Sequence, residues 1–143
     1  MNMETGPGQV RPGYGIPDPR LMALLESLSP AASDRVTWPG DIELDVSAYL
    51  SAVTLPRRLV TSVRCIVRVV DRIVLVRAPD TLKIWPGGRR QPGESYRATA
   101  CREVHEETGW QIRQRDCRRL GFLSYRLLAP QPADHPFPHP DFL

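Results

Sequence analysis

The apolar positions of the chain fall into several distinct rhythms. In "RLMALLESL" (20–28) they recur at helical spacing, which predicts a short helix. In "DIELDV" (41–46) they alternate, with Ile42, Leu44 and Val46 on one side, which predicts a strand. Two β-branched runs follow, "LVTSVRCIVRVV" (59–70) and "IVLVRA" (73–78). Only Asp71-Arg72 separates them, so the pair predicts a tight hairpin. From Glu94 to Thr108 there is no Gly or Pro, and Gly109 stands where a glycine commonly ends a helix. This predicts a helix over 94–108, with Glu94 in its first turn. "RRLGFLSYRLLA" (118–129) predicts a last strand.

The remaining stretches are polar or broken by turn residues. Residues 1–19 hold four Gly and four Pro and predict a mobile or meandering arm. "SPAASDRVTWPG" reads as a loop, "SAYLSAV" as a turn of helix, and "PDTLK" as a loop. Gly87-Gly88 and Pro92-Gly93 argue against regular structure before the long helix. The tail from Pro130 has five prolines in fourteen residues, which excludes a helix or a central strand.

A length of 143 residues fits one domain. The expected division is an N-terminal arm with a short helix (1–40) and a domain over 41–143. With 41% hydrophobic residues the chain is globular in composition, and no stretch approaches the ~18 apolar residues of a membrane span. No secretory signal pattern opens the chain. The three cysteines, Cys65, Cys101 and Cys117, show no CxxC spacing, which fits unpaired thiols in a reducing, cytoplasmic setting. Net charge is +3 and all but one of the nineteen basic residues are arginine. That balance suits a phosphate-bearing ligand. No basic run with interleaved aromatics points to nucleic acid.

The chemistry concentrates in "CREVHEETGW" (101–110). On a helix, Glu103, Glu106 and Glu107 share an arc of roughly 100°. Ala100, Cys101 and Val104 fall on the next sector, a candidate core face. Like charges at i,i+3 and i,i+4 repel by a few tenths of a kcal/mol, and carboxylates are poorly placed at a helix C-terminus. Arg102 offsets part of this. A hard divalent cation would offset the rest, since Mg²⁺ binds carboxylates together with substrate phosphates. The glycines at 87 and 88 let backbone approach a ligand closely, with a carbonyl to offer. Three glutamates on a surface helix are more often a solvated, salt-bridged face. The wider spacing decides against that.

Gly88, Glu94, Arg102, Glu103, Glu106, Glu107 and Gly109 follow the order G-x5-E-x7-R-E-U-x-E-E-x-G-U, with Val104 and Trp110 at the two bulky positions. Here the chain resembles the Nudix hydrolase family, over about 59–129; Trp110 departs from the usual aliphatic residue. The resemblance implies an α/β fold, an α/β/α sandwich around a mixed sheet. It implies Mg²⁺- or Mn²⁺-dependent hydrolysis of a pyrophosphate bond in a nucleoside diphosphate linked to another moiety, by water attack on phosphorus. In the family, residues matching Glu103, Glu106 and Glu107 bind metal. The carbonyl at the position of Gly87 often joins them, and Glu94 supports the site directly or through water. The arginine matching Arg102 holds a glutamate in place. The catalytic base is a box glutamate or one on a later loop, so Glu106 and Glu103 are the catalytic candidates here, with Arg102.

Arg89 and Arg90 flank the glycine loop and are candidate phosphate contacts. Tyr125 is a candidate substrate contact by analogy with dinucleoside polyphosphate-cleaving relatives, although a plain strand tyrosine fits better. Gln91 stands where many relatives carry a glutamate. His105 points off the acidic arc. His135 and His139 lie in a proline-rich segment and share no helix face. Cys101 reads as a small core residue. Relatives usually carry further strands and a second long helix after the box, so a C-terminally incomplete sandwich is expected, its open edge covered by residues 41–46, a strand swap or a homodimer partner. The competing function is a non-catalytic Nudix-fold nucleotide-binding or regulatory module. A structural remnant without metal binding is the third reading.

Overall fold

A computed structural model describes residues 15–77, 85–130 and 134–143. The arm expected over 1–19 lies mostly outside the described residues, and so does the "PDTLK" loop. The structure divides into two compact units, each described by itself. One comprises the described residues through Leu59 together with Leu120–Leu143, and the other is Val60–Arg119.

The first unit begins with helix α1, Pro19–Glu26. Asp18 caps it: Oδ1 accepts from the backbone N–H of Arg20 at 2.8 Å and of Leu21 at 3.1 Å. Pro19 takes the first helical position, where its missing N–H costs nothing. Strands β1 (Ala32–Trp38) and β2 (Ile42–Tyr49) form an antiparallel hairpin with Trp38 opposite Ile42. Its loop turns through left-handed backbone at Gly40 (φ 86°) and Asp41 (φ 59°).

β1 corrects the reading of "SPAASDRVTWPG" as a loop. It is an edge strand whose first four residues are exposed, so alternation is masked by solvent-facing polar residues. Cross-strand polar pairs hold it instead: Ser33 with Ser47 at 2.8 Å, and Arg35 with Asp45 at 2.9 Å. "SAYLSAV" is likewise not a turn of helix, because β2 runs on through Tyr49, paired to Phe122. The sheet continues through β7 (Phe122–Leu127) to β8 (Asp141–Phe142), in the order β1-β2-β7-β8. Leu44, Leu127 and Phe142 form its buried core, with Val36, Trp38, Ile42, Val46, Tyr125 and Phe137 packed round them. Ile42, Leu44 and Val46 therefore share a face as the alternation predicts.

The second unit carries β3 (Ser62–Arg64), β4 (Val67–Val69), β5 (Arg72–Val74), β6 (Gly87–Arg89) and helix α2 (Tyr96–Thr108). The hairpin expected from 59–70 and 73–78 is present but shorter. β4 pairs with β5, and the turning residues are Val70-Asp71 rather than Asp71-Arg72, with Val70 at φ 55°. The 59–70 run does not stay one strand. It divides after Arg64, because β3 leaves to pair with the glycine strand β6. Cys65 N–H then donates to Pro86 O at 2.7 Å. Gly87 (φ 148°) is what permits that pairing: a Cβ there would run into the Val63 carbonyl. Gly87-Gly88, whose turn propensity argues against regular structure, are thus part of a short strand.

α2 starts two residues later than expected. Ser95 is its N-cap, accepting from Ala98 N–H at 3.1 Å. Glu94 accordingly lies before the helix, not in its first turn. The C-terminal end matches: Gly109 adopts left-handed φ 74° and its N–H returns to His105 O at 2.9 Å.

Where the resemblance implies one mixed sheet, the described strands make three separate antiparallel ones. Strands and two helices together are compatible with an α/β fold. No described helix is long and apolar enough to cross a membrane.

Candidate functional site

The site residues of the second unit come from three adjacent pieces of chain. These are the glycine strand β6, the turn at 90–95 and the exposed face of α2. Ala100, Val104 and Thr99 are buried on the inner face of α2. Cys101 is only half-buried, so it sits at the margin of that face. Glu103 is also buried, whereas Glu106 and His105 are exposed. The acidic arc therefore spans the boundary between core and solvent.

Arg102 joins the pieces. Its Nε donates to Glu94 Oε1 at 2.7 Å and its Nη2 to Glu94 Oε2 at 2.9 Å. Nη1 reaches Glu103 Oε1 at 2.8 Å and Glu106 Oε2 at 3.2 Å. Nη2 also donates to the Arg89 carbonyl at 2.9 Å, tying the helix to the glycine strand. The planar guanidinium suits this because its donors lie in a fixed fork. The Arg102 side chain is only 22% exposed, so these contacts are partly shielded from water; that of Glu106 is 54% exposed and can turn.

Glu94 is the most constrained carboxylate. Besides Arg102 it accepts from Gln91 N–H and Thr99 Oγ1, both at 2.9 Å. The Arg102 hydrogen bonds, then that from Gln91, hold its carboxyl down to about 2 against the opposing effect of desolvation, with Thr99 adding to them. Glu94 and Glu103 in turn push the Arg102 guanidinium further up. Thr99 and the Gln91 backbone had no sequence signal as site residues. Their role depends on the turn at 90–95 bringing Glu94 over the first turn of α2.

The two glycines serve different contacts. The Gly87 N–H donates to Glu107 Oε2 at 2.9 Å. Gly88 lies against the Glu103 carboxylate, which a Cβ would strike. Two of the three box glutamates thus face the glycine strand. Arg90 is used locally: it donates to the Val60 carbonyl at 3.1 Å and the Glu94 carbonyl at 3.0 Å, and lies 5.6 Å from the Tyr96 ring centroid. The Arg89 side chain is exposed.

Tyr125 belongs to the other compact unit, stacked on Phe142 at 5.0 Å between ring centroids. His139 is occupied as well, its Nδ1 accepting from Gly15 N–H at 2.9 Å and its Nε2 meeting Ala129 O at 3.2 Å. His135 packs on Phe137 and Phe142.

Counted over Glu94, Glu103, Glu106, Glu107 and Arg102, four carboxylates face one guanidinium, leaving three negative charges in excess. The donors are all hard oxygens, the chemistry preferred by Mg²⁺ and Mn²⁺. As the side chains lie, no three acidic, histidine or cysteine groups among the described residues converge closely enough to hold an ion. Glu103 and Glu107 already flank the glycine strand. The exposed Glu106 is the one with most freedom to swing towards them.

The family of the NUDIX domain matches residues 58–142, more than half of the chain and the whole of this loop–helix site. No match was found among curated proteins or among solved structures. The match and the loop–helix geometry lead to one assignment: the chain belongs to the Nudix family, whose members are generally hydrolases of pyrophosphate bonds in nucleotide-derived compounds.

Proposed function

We propose that the chain hydrolyses a pyrophosphate bond in a nucleoside diphosphate linked to a second moiety, with Mg²⁺ or Mn²⁺ as cofactor. The observation that carries this reading is the surplus of carboxylates beside the glycine pair, Glu103 held by Arg102 against Gly88 and Glu107 held by the Gly87 N–H. Three acids at a helix C-terminus, with one guanidinium shared between two of them, are electrostatically costly. A divalent cation shared with substrate phosphates removes the cost.

In this reading Glu103, Glu106 and Glu107 hold the cation, aided by the Gly87 carbonyl and supported by Glu94. Bound there, the cation would polarise a phosphoryl oxygen and lower the pKa of attacking water. Arg102 holds the Glu94 and Glu103 carboxylates in fixed positions, so that no reorientation is needed when substrate arrives. Glu106, the most exposed of the set, takes the proton from water at a carboxylate oxygen. Arg89 faces solvent beside the glycine pair and meets phosphate charge. Arg90 acts mainly by holding the 90–95 turn.

The test is product analysis in ¹⁸O-labelled water across a panel of nucleoside diphosphate derivatives, with Mg²⁺ or Mn²⁺. The expected products are a nucleoside monophosphate and the phosphorylated second moiety, one of them carrying a single ¹⁸O on phosphorus. Calorimetric binding with no product across the panel would move the chain to the non-catalytic class.

A further inference from the structure

Thr99 is wholly buried with Ala100 and Val104 on the inner face of α2, yet it carries a hydroxyl. Burial alone would suit valine, which has the same branched shape. The hydroxyl has one proton and two acceptors within reach, Glu94 Oε2 at 2.9 Å and the Ser95 carbonyl at 3.2 Å. The Ser95 carbonyl already accepts the Thr99 backbone N–H at 3.0 Å. Glu94 is nearer and ionised, which makes it the stronger acceptor. The proton therefore goes to the carboxylate rather than into the back-bond that threonine commonly makes within a helix.

Thr99 and Arg102 stand three residues apart on α2, so their side chains are neighbours. Both grip the same carboxylate. Arg102 holds its two oxygens, and Thr99 holds Oε2 together with the Gln91 N–H. Glu94 precedes the helix, so these contacts, not helical geometry, fix where its carboxylate lies. The same guanidinium also reaches Glu103 Oε1 and Glu106 Oε2. Arg102 is thus divided between an anchor, Glu94, and two of the proposed cation ligands. Any loosening of the anchor lets the guanidinium settle on Glu103 and Glu106, where it competes with a cation for the same oxygens.

We propose that Thr99 is a positioning residue of the glutamate site: its buried hydroxyl keeps the Glu94 carboxylate square to the Arg102 fork, and so keeps the guanidinium from closing over Glu103 and Glu106. The effect on cation binding rests on the reading of those glutamates as cation ligands; the hold on Arg102 is independent of it.

The test compares two variants of the full chain at temperatures where both are folded. T99V keeps the shape and loses the hydroxyl; T99S keeps the hydroxyl and loses the methyl. The first readout is the Arg102 Nε–H signal in metal-free protein, assigned by its loss in R102K. Wild type and T99S are expected to show a sharp, slowly exchanging signal, and T99V one lost to exchange with water. The second readout is Mn²⁺ affinity by paramagnetic resonance. T99S should bind as wild type does, and T99V at least about tenfold more weakly, the usual effect of removing the support behind a ligand. E94Q/T99V should match E94Q, since Thr99 acts through Glu94. An unchanged Arg102 signal or undiminished Mn²⁺ affinity in T99V would overturn the proposal. So would equal losses in T99S, which would assign Thr99 to packing. T99A replaces T99V if the latter does not fold, with T99S still reporting the effect of volume. An Arg102 signal lost in T99V while wild type binds no Mn²⁺ would overturn the cation reading and leave the hold of Thr99 on Arg102 standing.

Discussion

Arg102 meets Glu94 with two side-by-side N–H···O bonds, 2.7 and 2.9 Å long, across the junction between the turn and helix α2. The same guanidinium touches Glu103, Glu106 and the Arg89 carbonyl. Lysine has the charge but not the fork. R102K is therefore expected to lower the melting temperature and to cut kcat/KM at least about tenfold, since loss of a positioning contact is commonly worth that much or more. Thermal melts and steady-state kinetics check it. Wild-type values for both would show that the fork is dispensable.

The depressed carboxyl of Glu94 ties this junction to pH. Its folded value is about 2, against 4.5 ordinarily. A lowered folded pKa contributes stability that is complete above about pH 4.5 and fades as pH falls towards 2. The urea midpoint of wild type should exceed that of E94Q at pH 6, and the gap should close across this window. A constant gap would mean that the Arg102 contact does not act through ionisation.

Gly88 and Gly109 are needed for different reasons. At 88 a Cβ would strike the Glu103 carboxylate, so G88A should cost about 1–3 kcal/mol by overpacking and displace a proposed cation ligand. At 109 the space is open but φ is 74°, so G109A should cost about 1–2 kcal/mol from left-handed strain alone. Denaturant titration with activity assays separates them. G88A is expected to lose activity even at temperatures where it is folded, and G109A to keep it.

Burial pushes the Cys65 thiol up to about 11 from 9.0, with the neighbouring thiols adding to the effect. Alkylation by iodoacetamide at pH 8 should then run about a hundredfold slower than for a free cysteine, because only the thiolate reacts. The rate should climb steeply above pH 10. Mass spectrometry of labelled peptides reads this site by site, and fast labelling at pH 8 would contradict the partly buried setting of the thiol.

The site was more legible than the fold around it. The uninterrupted run before Gly109 marks α2, and the spacing from Gly88 to Gly109 marks the family. Both are local signals. α2 starts two residues after Glu94 because Glu94 serves Arg102, Gln91 and Thr99 instead of the helix, a competition invisible in sequence. β1 carries no strand signal in the sequence, because an edge strand with four exposed residues has no apolar alternation. The 59–70 run looked like one strand because nothing within it marks a break. The break is set by Gly87 and Gly88, more than twenty residues on, which offer β3 a partner without side chains. The placement of Tyr125 against Phe142 likewise depends on β8, a two-residue strand in a proline-rich tail.

The central claim is that Glu106 and Glu107 make the chain a metal-dependent hydrolase. Its most direct test is Mg²⁺-dependent release of nucleoside monophosphate by wild type, E106Q and E107Q, compared at equal melting temperature. The account predicts release by wild type that stops with EDTA and falls at least about a hundredfold in each variant. Equal turnover in all three proteins, or release that persists in EDTA, would contradict it.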